Sequence, residues 1–218
     1  MKIAPPARRE QPSAFTLIEL LTVIAIIAVL MGLLFPAVNA VKDSARKTQA
    51  KNDVVNIVNA VKWYYTEYGK YPVPAGTTTD YTYGGTAANS TNDNPLFNVL
   101  RVIPGLSGDQ LALNPRQIVF LEVPTAKDTN NPKSGISANS ATAGQFMDPW
   151  GTPYYVRMDS NYDNQLTNPY STNAGFSPMS TGVIAWSFGK DKASTSTATA
   201  SGGDKNAGTS ADDVLSWQ

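Results

Sequence analysis

Residues Phe15 to Val41 read FTLIELLTVIAIIAVLMGLLFPAVNAV, an apolar run whose one ionisable side chain is Glu19. As an α-helix, these 27 residues would extend about 40 Å, more than the roughly 30 Å of a bilayer's hydrocarbon core. Arg8 and Arg9 precede the run, so the positive-inside rule places Met1 to Ala14 in the cytoplasm and everything beyond Val41 on the far side. Glu19 stands out because a carboxylate inside an apolar helix costs about 2.5–3.5 kcal/mol on insertion scales unless a partner offsets it. Gly32 and Pro36 interrupt the run. A proline removes one backbone donor and crowds the preceding turn, so Gly32 to Val38 is expected to kink or unwind locally.

Outward from this run, charge enters without a helix breaker. Lys42, Asp43, Arg46, Lys47, Lys51 and Asp53 interleave with Val54, Ile57, Val58, Val61, Tyr65 and Tyr68. Apolar positions three and four apart are the pattern of an amphipathic helix, here a continuation of the first, and Gly69 and Pro72 end it. Thr77 to Asn94 reads as a loop, and Asn94-Pro95 as the start of a short helix over Leu96 to Val102. Ile118 to Val123, Tyr154 to Met158 and Val183 to Phe188 read as strands. Ser134 to Gly144 and Ser194 to Ser210 are Ser/Thr/Ala/Gly stretches with little to bury and are expected to be loops. A long helix followed by short hairpin-type strands gives an α+β fold: a helix packed by its second half on a small antiparallel sheet with long loops.

Composition excludes much. The chain has 218 residues, 17 basic and 17 acidic side chains, no cysteine and no histidine. Removing Lys2, Arg8, Arg9 and Glu10 leaves 14 basic and 16 acidic groups, and a charge of −2 offers nucleic acid no surface. Without imidazole or thiol, most transition-metal sites and most nucleophilic triads are excluded, while oxygen-ligated cations stay open. Ser44-Ala45-Arg46-Lys47 has the S-x-x-K spacing, yet it lies on the charged juxtamembrane helix, and no glycine pair is followed by a phosphate-loop lysine. No enzymatic activity is expected.

The segment Ala14-Phe15-Thr16-Leu17-Ile18-Glu19-Leu20 resembles the type IV prepilin and type II secretion pseudopilin signature. In that family a membrane-embedded aspartyl prepilin peptidase cuts after a small residue, usually glycine, and methylates the new amino terminus. The resemblance implies cleavage between Ala14 and Phe15, N-methylation of Phe15, and pairing of Glu19 with the amino terminus of a neighbouring copy during assembly. It also implies that the helix around Gly32 and Pro36 melts in the filament. The rival reading is a secretory signal peptide ending near Val38-Asn39-Ala40. The length of the run and the position of Glu19 oppose it.

Two further stretches point to one branch. Asp148-Pro149-Trp150-Gly151-Thr152-Pro153-Tyr154-Tyr155 is similar to the DPWG turn of the major pseudopilin of type II secretion, with Trp150 feeding the core. Ser187-Phe188-Gly189-Lys190-Asp191 and Asp212-Asp213-Val214-Leu215-Ser216-Trp217 resemble the two arms of that family's calcium loop. The match implies calcium on Asp191, Asp212 and Asp213 with a carbonyl from Ser187, Phe188 or Lys190. The insert Ala193 to Ser210 is longer than usual, and Asp204 within it is either a substitute ligand or solvated. Asp159, Asn161, Asp163 and Asn164 read as a polar hairpin turn.

The expected organisation is a leader over 1–14, a transmembrane and filament-core helix over 15–41, its amphipathic continuation over 42–71, and a periplasmic domain over 72–218. The resemblance implies a subunit anchored in the bacterial inner membrane that polymerises with its own copies and minor pseudopilins. The partners it implies are the prepilin peptidase and an inner-membrane assembly platform with its ATPase. The polymer would be a pseudopilus that drives protein export. A type IV pilus subunit for adhesion, motility or DNA uptake, and a monomeric membrane-anchored binding protein, are the competing readings.

Overall fold

The computed structural model describes residues 16–84, 90–91, 94–104, 106, 108–193 and 202–218. The chain divides into two units, Met1–Ser44 and Ala45–Gln218. The first consists, where described, of the front of one long helix, α1 (Leu17–Tyr68). Its side chains from Leu17 to Val41 are open on every side, and its most apolar window has a mean hydropathy of 2.8 with none of it buried. By length and composition this helix can cross a membrane. α1 is helical through Gly32 and Pro36, so the local unwinding expected there is absent from the single chain. One missing donor is not enough to break the path when the flanking turns are intact.

The second unit begins with the amphipathic part of α1. Ala50, Val54, Ile57, Ala60, Val61 and Tyr64 are fully buried, a stripe with the spacing of one helix face. The expected stripe ran through Tyr65. In the structure Tyr64 takes the core position, its hydroxyl donating to the Leu113 carbonyl at 2.6 Å, while Tyr65 lies outside, stacked on Tyr71 with ring centroids 4.7 Å apart. Both residues satisfy the three-or-four rule from Val61, so only packing could choose between them. Gly69 ends the helix at a φ of +65°, its N–H donating to the Tyr65 carbonyl at 2.8 Å, as expected of a left-handed C-cap.

The other elements are β1 (Tyr81–Tyr83), β2 (Ser90–Thr91), α2 (Asn94–Arg101), α3 (Gly108–Leu113), β3 (Gly135–Ile136), β4 (Phe146–Met147), β5 (Tyr155–Met158), β6 (Tyr170–Thr172), β7 (Val183–Ser187), β8 (Gly202–Asp204), a 3₁₀ turn at Gly208–Ser210, and β9 (Val214–Leu215). The main sheet has the order β2-β1-β5-β7-β9. It is antiparallel except where β1 meets β2. β3 with β4, and β6 with β8, form separate two-stranded ribbons.

The register of β5 against β7 sorts side chains to two faces. Val156, Met158, Val183 and Ala185 join Tyr81 and Tyr83 in the cluster that meets the α1 stripe. Ile184 and Trp186 form a second cluster with Leu166, Tyr170, Ala174, Met179 and Leu215. The sheet is therefore covered on both sides. Arg157, only 5 % exposed, points to the second face. Its Nε donates to Thr82 Oγ1 at 2.9 Å, one terminal nitrogen donates to the Thr167 carbonyl at 2.7 Å, and its guanidinium lies 5.8 Å from the centre of the Trp186 ring.

Three expectations are corrected. Thr77 to Asn94 is not all loop, because Tyr81–Tyr83 forms β1, an inner strand between β2 and β5; three residues are too few to show alternation above the surrounding polar sequence. Ile118 to Val123 is not a strand. The Asn114 side chain occupies the start of the segment, bonding the Ile118 N–H and carbonyl at 3.1 and 2.9 Å, and the Phe120 and Leu121 N–H groups both donate to the Leu100 carbonyl at the end of α2. The N–H groups of Ile118, Phe120 and Leu121 are thus engaged outside any sheet. In the low-complexity stretches, Gly135–Ile136 is β3 and Gly202–Asp204 is β8, whereas 194–201 lies outside the described residues.

Asp80, just before β1, is pushed up to about 6 by burial, with Asp159 and Asp163 adding to the rise and Arg157 opposing it. A carboxyl raised above its unfolded value of about 3.9 is better protonated in the folded chain. Its contribution to stability therefore increases as pH falls through 6 and levels off below the unfolded value. Discounted for solvent screening, the effect is about 1 kcal/mol. Urea unfolding between pH 4.5 and 7.5 should show that Asp80→Asn flattens this slope relative to the unsubstituted chain; parallel curves would refute the assignment.

Candidate functional site

The first candidate lies at the start of α1. Ala14 and Phe15, the expected cleavage and methylation residues, lie outside the described residues. Glu19 is exposed near the helix start, and its Oε2 accepts the Thr16 N–H at 2.8 Å and the Thr16 hydroxyl at 2.7 Å. The Glu19 N–H donates back to Thr16 Oγ1 at 3.3 Å. This is a reciprocal T-x-x-E capping box, which satisfies orphan helix donors and draws the carboxylate toward the positive end of the helix dipole. The spacing was legible in the sequence but not singled out there. It shows how a single chain holds Glu19 without a neighbour, and it engages one of the two carboxylate oxygens.

The second candidate is the C-terminal acidic loop. Asp191, Asp212 and Asp213 are brought together, with one carboxylate oxygen from each lying within 4.8 Å of the others. Asp213 is 6 % exposed, and its Oδ2 accepts the Tyr170 hydroxyl at 2.6 Å. Asp212 Oδ2 accepts the backbone N–H groups of Lys190 and, at 3.0 Å, Asp191. Oxygens on opposite sides of a calcium ion stand about 4.6–5.2 Å apart, twice its usual ligand distance, so this cluster has the right spread and the right hard donors. Asp204 is not part of it. Asp204 is half-buried, accepts Asn173 Nδ2 at 2.7 Å and the Asn206 N–H at 2.8 Å, and these bonds lower its pKa. Nor do Asp159 and Asp163 form a second cluster: the Asp159 oxygens accept the N–H groups of Asp163 and Asn164 at 3.2 and 2.8 Å, the polar turn that was expected.

A buried carboxylate that sequence reading passed over connects the motifs. Asp148 is fully buried, and its Oδ1 accepts the N–H groups of Trp150, Gly151 and Thr152 at 2.7–2.9 Å. Its Oδ2 accepts the Thr152 hydroxyl and, from β7, the Ser187 hydroxyl, each at 2.6 Å. Ser187 Oγ in turn accepts the Gly189 N–H at 3.1 Å. Bonds to a charged group contribute about 1.5–3 kcal/mol each, so Asp148 rigidifies both its own turn and the first arm of the acidic loop. Trp150 is buried beside it, as expected. Trp217 packs on the second face of the sheet, its indole N–H donating to the Ala174 carbonyl at 2.7 Å.

Gly189 sets the approach of the two arms. Its φ of +69° disfavours other residues, and a Cβ there would collide with the Asp212 carbonyl and lie 2.7 Å from Asp212 Oδ2. Strain and collision reinforce each other.

The comparisons with known proteins bear on part of the chain. Residues 12–35 match the family described as the prokaryotic N-terminal methylation motif. Over 65 residues, 30 % of this chain, the sequence is 38 % identical to a type II secretion system core protein G from Pseudomonas aeruginosa. It is 32 % identical over the same length to the proteins of that name from Aeromonas hydrophila and Klebsiella michiganensis. The chain spans about half the length of these curated relatives, 46 % of each. No solved structure matches.

Gly189→Ala should lower stability by about 2 kcal/mol through strain and displacement of Asp212. A midpoint of urea unfolding unchanged from that of the parent chain would contradict this account of the loop.

Proposed function

We propose that this chain is a pseudopilin of the major type, a structural subunit of a type II secretion pseudopilus. The observation that carries the reading is a methylation motif at residues 12–35 that overlaps a helix whose apolar side chains are exposed all round from Leu17 to Val41. Such a helix is insoluble by itself and needs either lipid or other helices around it. In this reading the bilayer holds it before assembly and sister helices hold it afterwards. The similarity to core protein G favours the secretion branch over a surface pilus.

Prepilin peptidase cuts between Ala14 and Phe15 and methylates Phe15, leaving a cationic amino terminus four residues before Glu19. In the single chain Glu19 Oε2 is held by Thr16. The carboxylate therefore enters assembly already oriented, and the neighbour's amine pairs with it where water is excluded and the attraction is strong. That pairing sets the axial step between subunits. The space beside Gly32 is open, with nothing within 4 Å of a Cβ built there, which leaves room for close helix packing. Force comes from the assembly ATPase through its inner-membrane platform. The 45–218 unit lies in the periplasm, where export substrates pass, and the subunit's role is structural rather than catalytic.

N-terminal mass spectrometry of the mature chain should read N-methylphenylalanine at Phe15. Glu19→Ala should be processed normally yet lose filament formation and exoprotein secretion. An uncut chain, or a Glu19→Ala chain that still assembles, would overturn the proposal.

The acidic loop fits calcium, held by Asp191, Asp212 and Asp213 with backbone carbonyls and water completing six to eight oxygens. Bound calcium would clamp the two arms and stabilise the folded domain by mass action. In thermal unfolding, millimolar calcium should raise the Tm over that in chelator, and Asp212→Asn should remove the rise; equal Tm values with calcium and chelator would exclude the site.

A further inference from the structure

The acidic loop has a cation of its own. Lys205 follows β8, where its N–H donates to the Thr172 carbonyl at 3.1 Å, so the insert that lengthens this loop also anchors the lysine. The residue is only 7 % exposed. It lines one cleft of about 380 Å³ together with Asp212, Asp213, Lys47 and Lys51. Its Nζ makes a long bond of 3.4 Å to the Ala211 carbonyl, a weak anchor for a buried ammonium. Burial lowers its pKa, Asp213 and Asp212 pull it back up, and Lys47 opposes them. Lys51 is used elsewhere, its ammonium donating to the Leu215 carbonyl at 2.7 Å and to the Gln218 carbonyl. Lys205 is thus a buried cation that shares its cleft with two of the three acidic groups.

We propose that Lys205 is a built-in counter-ion of the Asp191–Asp212–Asp213 cluster, which neutralises the loop when no divalent ion is present and holds down the cluster's affinity for calcium. The inference rests on the calcium reading above. Three carboxylates carry a charge of about −3, and a bound calcium ion reduces it to about −1. The attraction that holds the lysine ammonium therefore falls to roughly a third on ion binding. Interactions that weaken on binding oppose it, and by reciprocity the ion and the ammonium disfavour each other. A lysine kept only for its aliphatic stem would pack in the same place without this coupling.

The test uses the full chain in detergent micelles, titrated calorimetrically with calcium chloride at fixed ionic strength. Lys205→Met should bind calcium at least tenfold more tightly than the parent chain, whereas Lys205→Arg, which keeps the charge, should bind as the parent does. In chelator Lys205→Met should melt at lower temperature than the parent, and saturating calcium should close most of that gap. Equal calcium affinity in the parent and Lys205→Met would overturn this inference and leave the calcium site standing. Absence of calcium heat in all three chains would overturn the calcium reading itself, and this inference with it. A Lys205→Arg chain as tight as Lys205→Met would show that packing, not charge, governs the site, and would also overturn it.

Discussion

The distribution of apolar surface around one helix governs the rest of this molecule. Before Val41 the side chains of α1 are apolar in every direction and nothing in their own unit covers them. After Ala45 the stripe Ala50, Val54, Ile57, Ala60, Val61 and Tyr64 is covered completely by the rest of its unit, while Trp63 and Tyr65 stay exposed. An all-round apolar helix cannot be satisfied by one small domain, whereas a single stripe can. The same helix therefore turns its first half toward surroundings outside the chain and its second half toward the chain's own core. The proposed filament follows from the first half and the stability of the domain from the second.

The domain shows how a small sheet supports long polar segments. With both faces of β5 and β7 covered, the residues after β5 that look too polar to pack enclose a second cluster around Trp186. The segments are tied down by polar groups that are themselves buried: Arg157 to Thr82 and the Thr167 carbonyl, Asn168 to the carbonyls of Ala174 and Phe176, and Asp148 to its own turn and to Ser187. Buried polar groups are costly unless satisfied. Here the satisfied ones determine where the loops run, and through Ser187 and Gly189 they determine how the two arms of the acidic loop meet.

α1 is legible in the sequence because its signals are local. A long apolar run, a change to three-and-four spacing, and a glycine stop are properties of consecutive residues. The strands at Tyr155–Met158 and Val183–Ser187 were legible for the same reason, being apolar runs bounded by turn residues. Tyr81–Tyr83 was missed because three residues between polar stretches carry no period, although it lies inside the sheet. Ile118 to Val123 misled because its composition suits a strand, while Asn114 binds the backbone of Ile118 and the Leu100 carbonyl takes the N–H groups of Phe120 and Leu121.

The chain by itself determined the apolar anchor, its capping acid at Glu19 and the likeness of residues 12–35 to the methylation-motif family, since each depends on residue type and spacing along the helix. Tertiary structure alone decided that Tyr64 and not Tyr65 enters the core, that Asp204 stands apart from Asp191, Asp212 and Asp213, and that Lys205 shares a cleft with the last two. Those outcomes depend on segments far apart in sequence meeting in space, and the β6–β8 pairing that positions Asp204 and Lys205 has no signature in either strand. A periodic pattern reports which way a side chain points, but only the packed chain reports what it meets there.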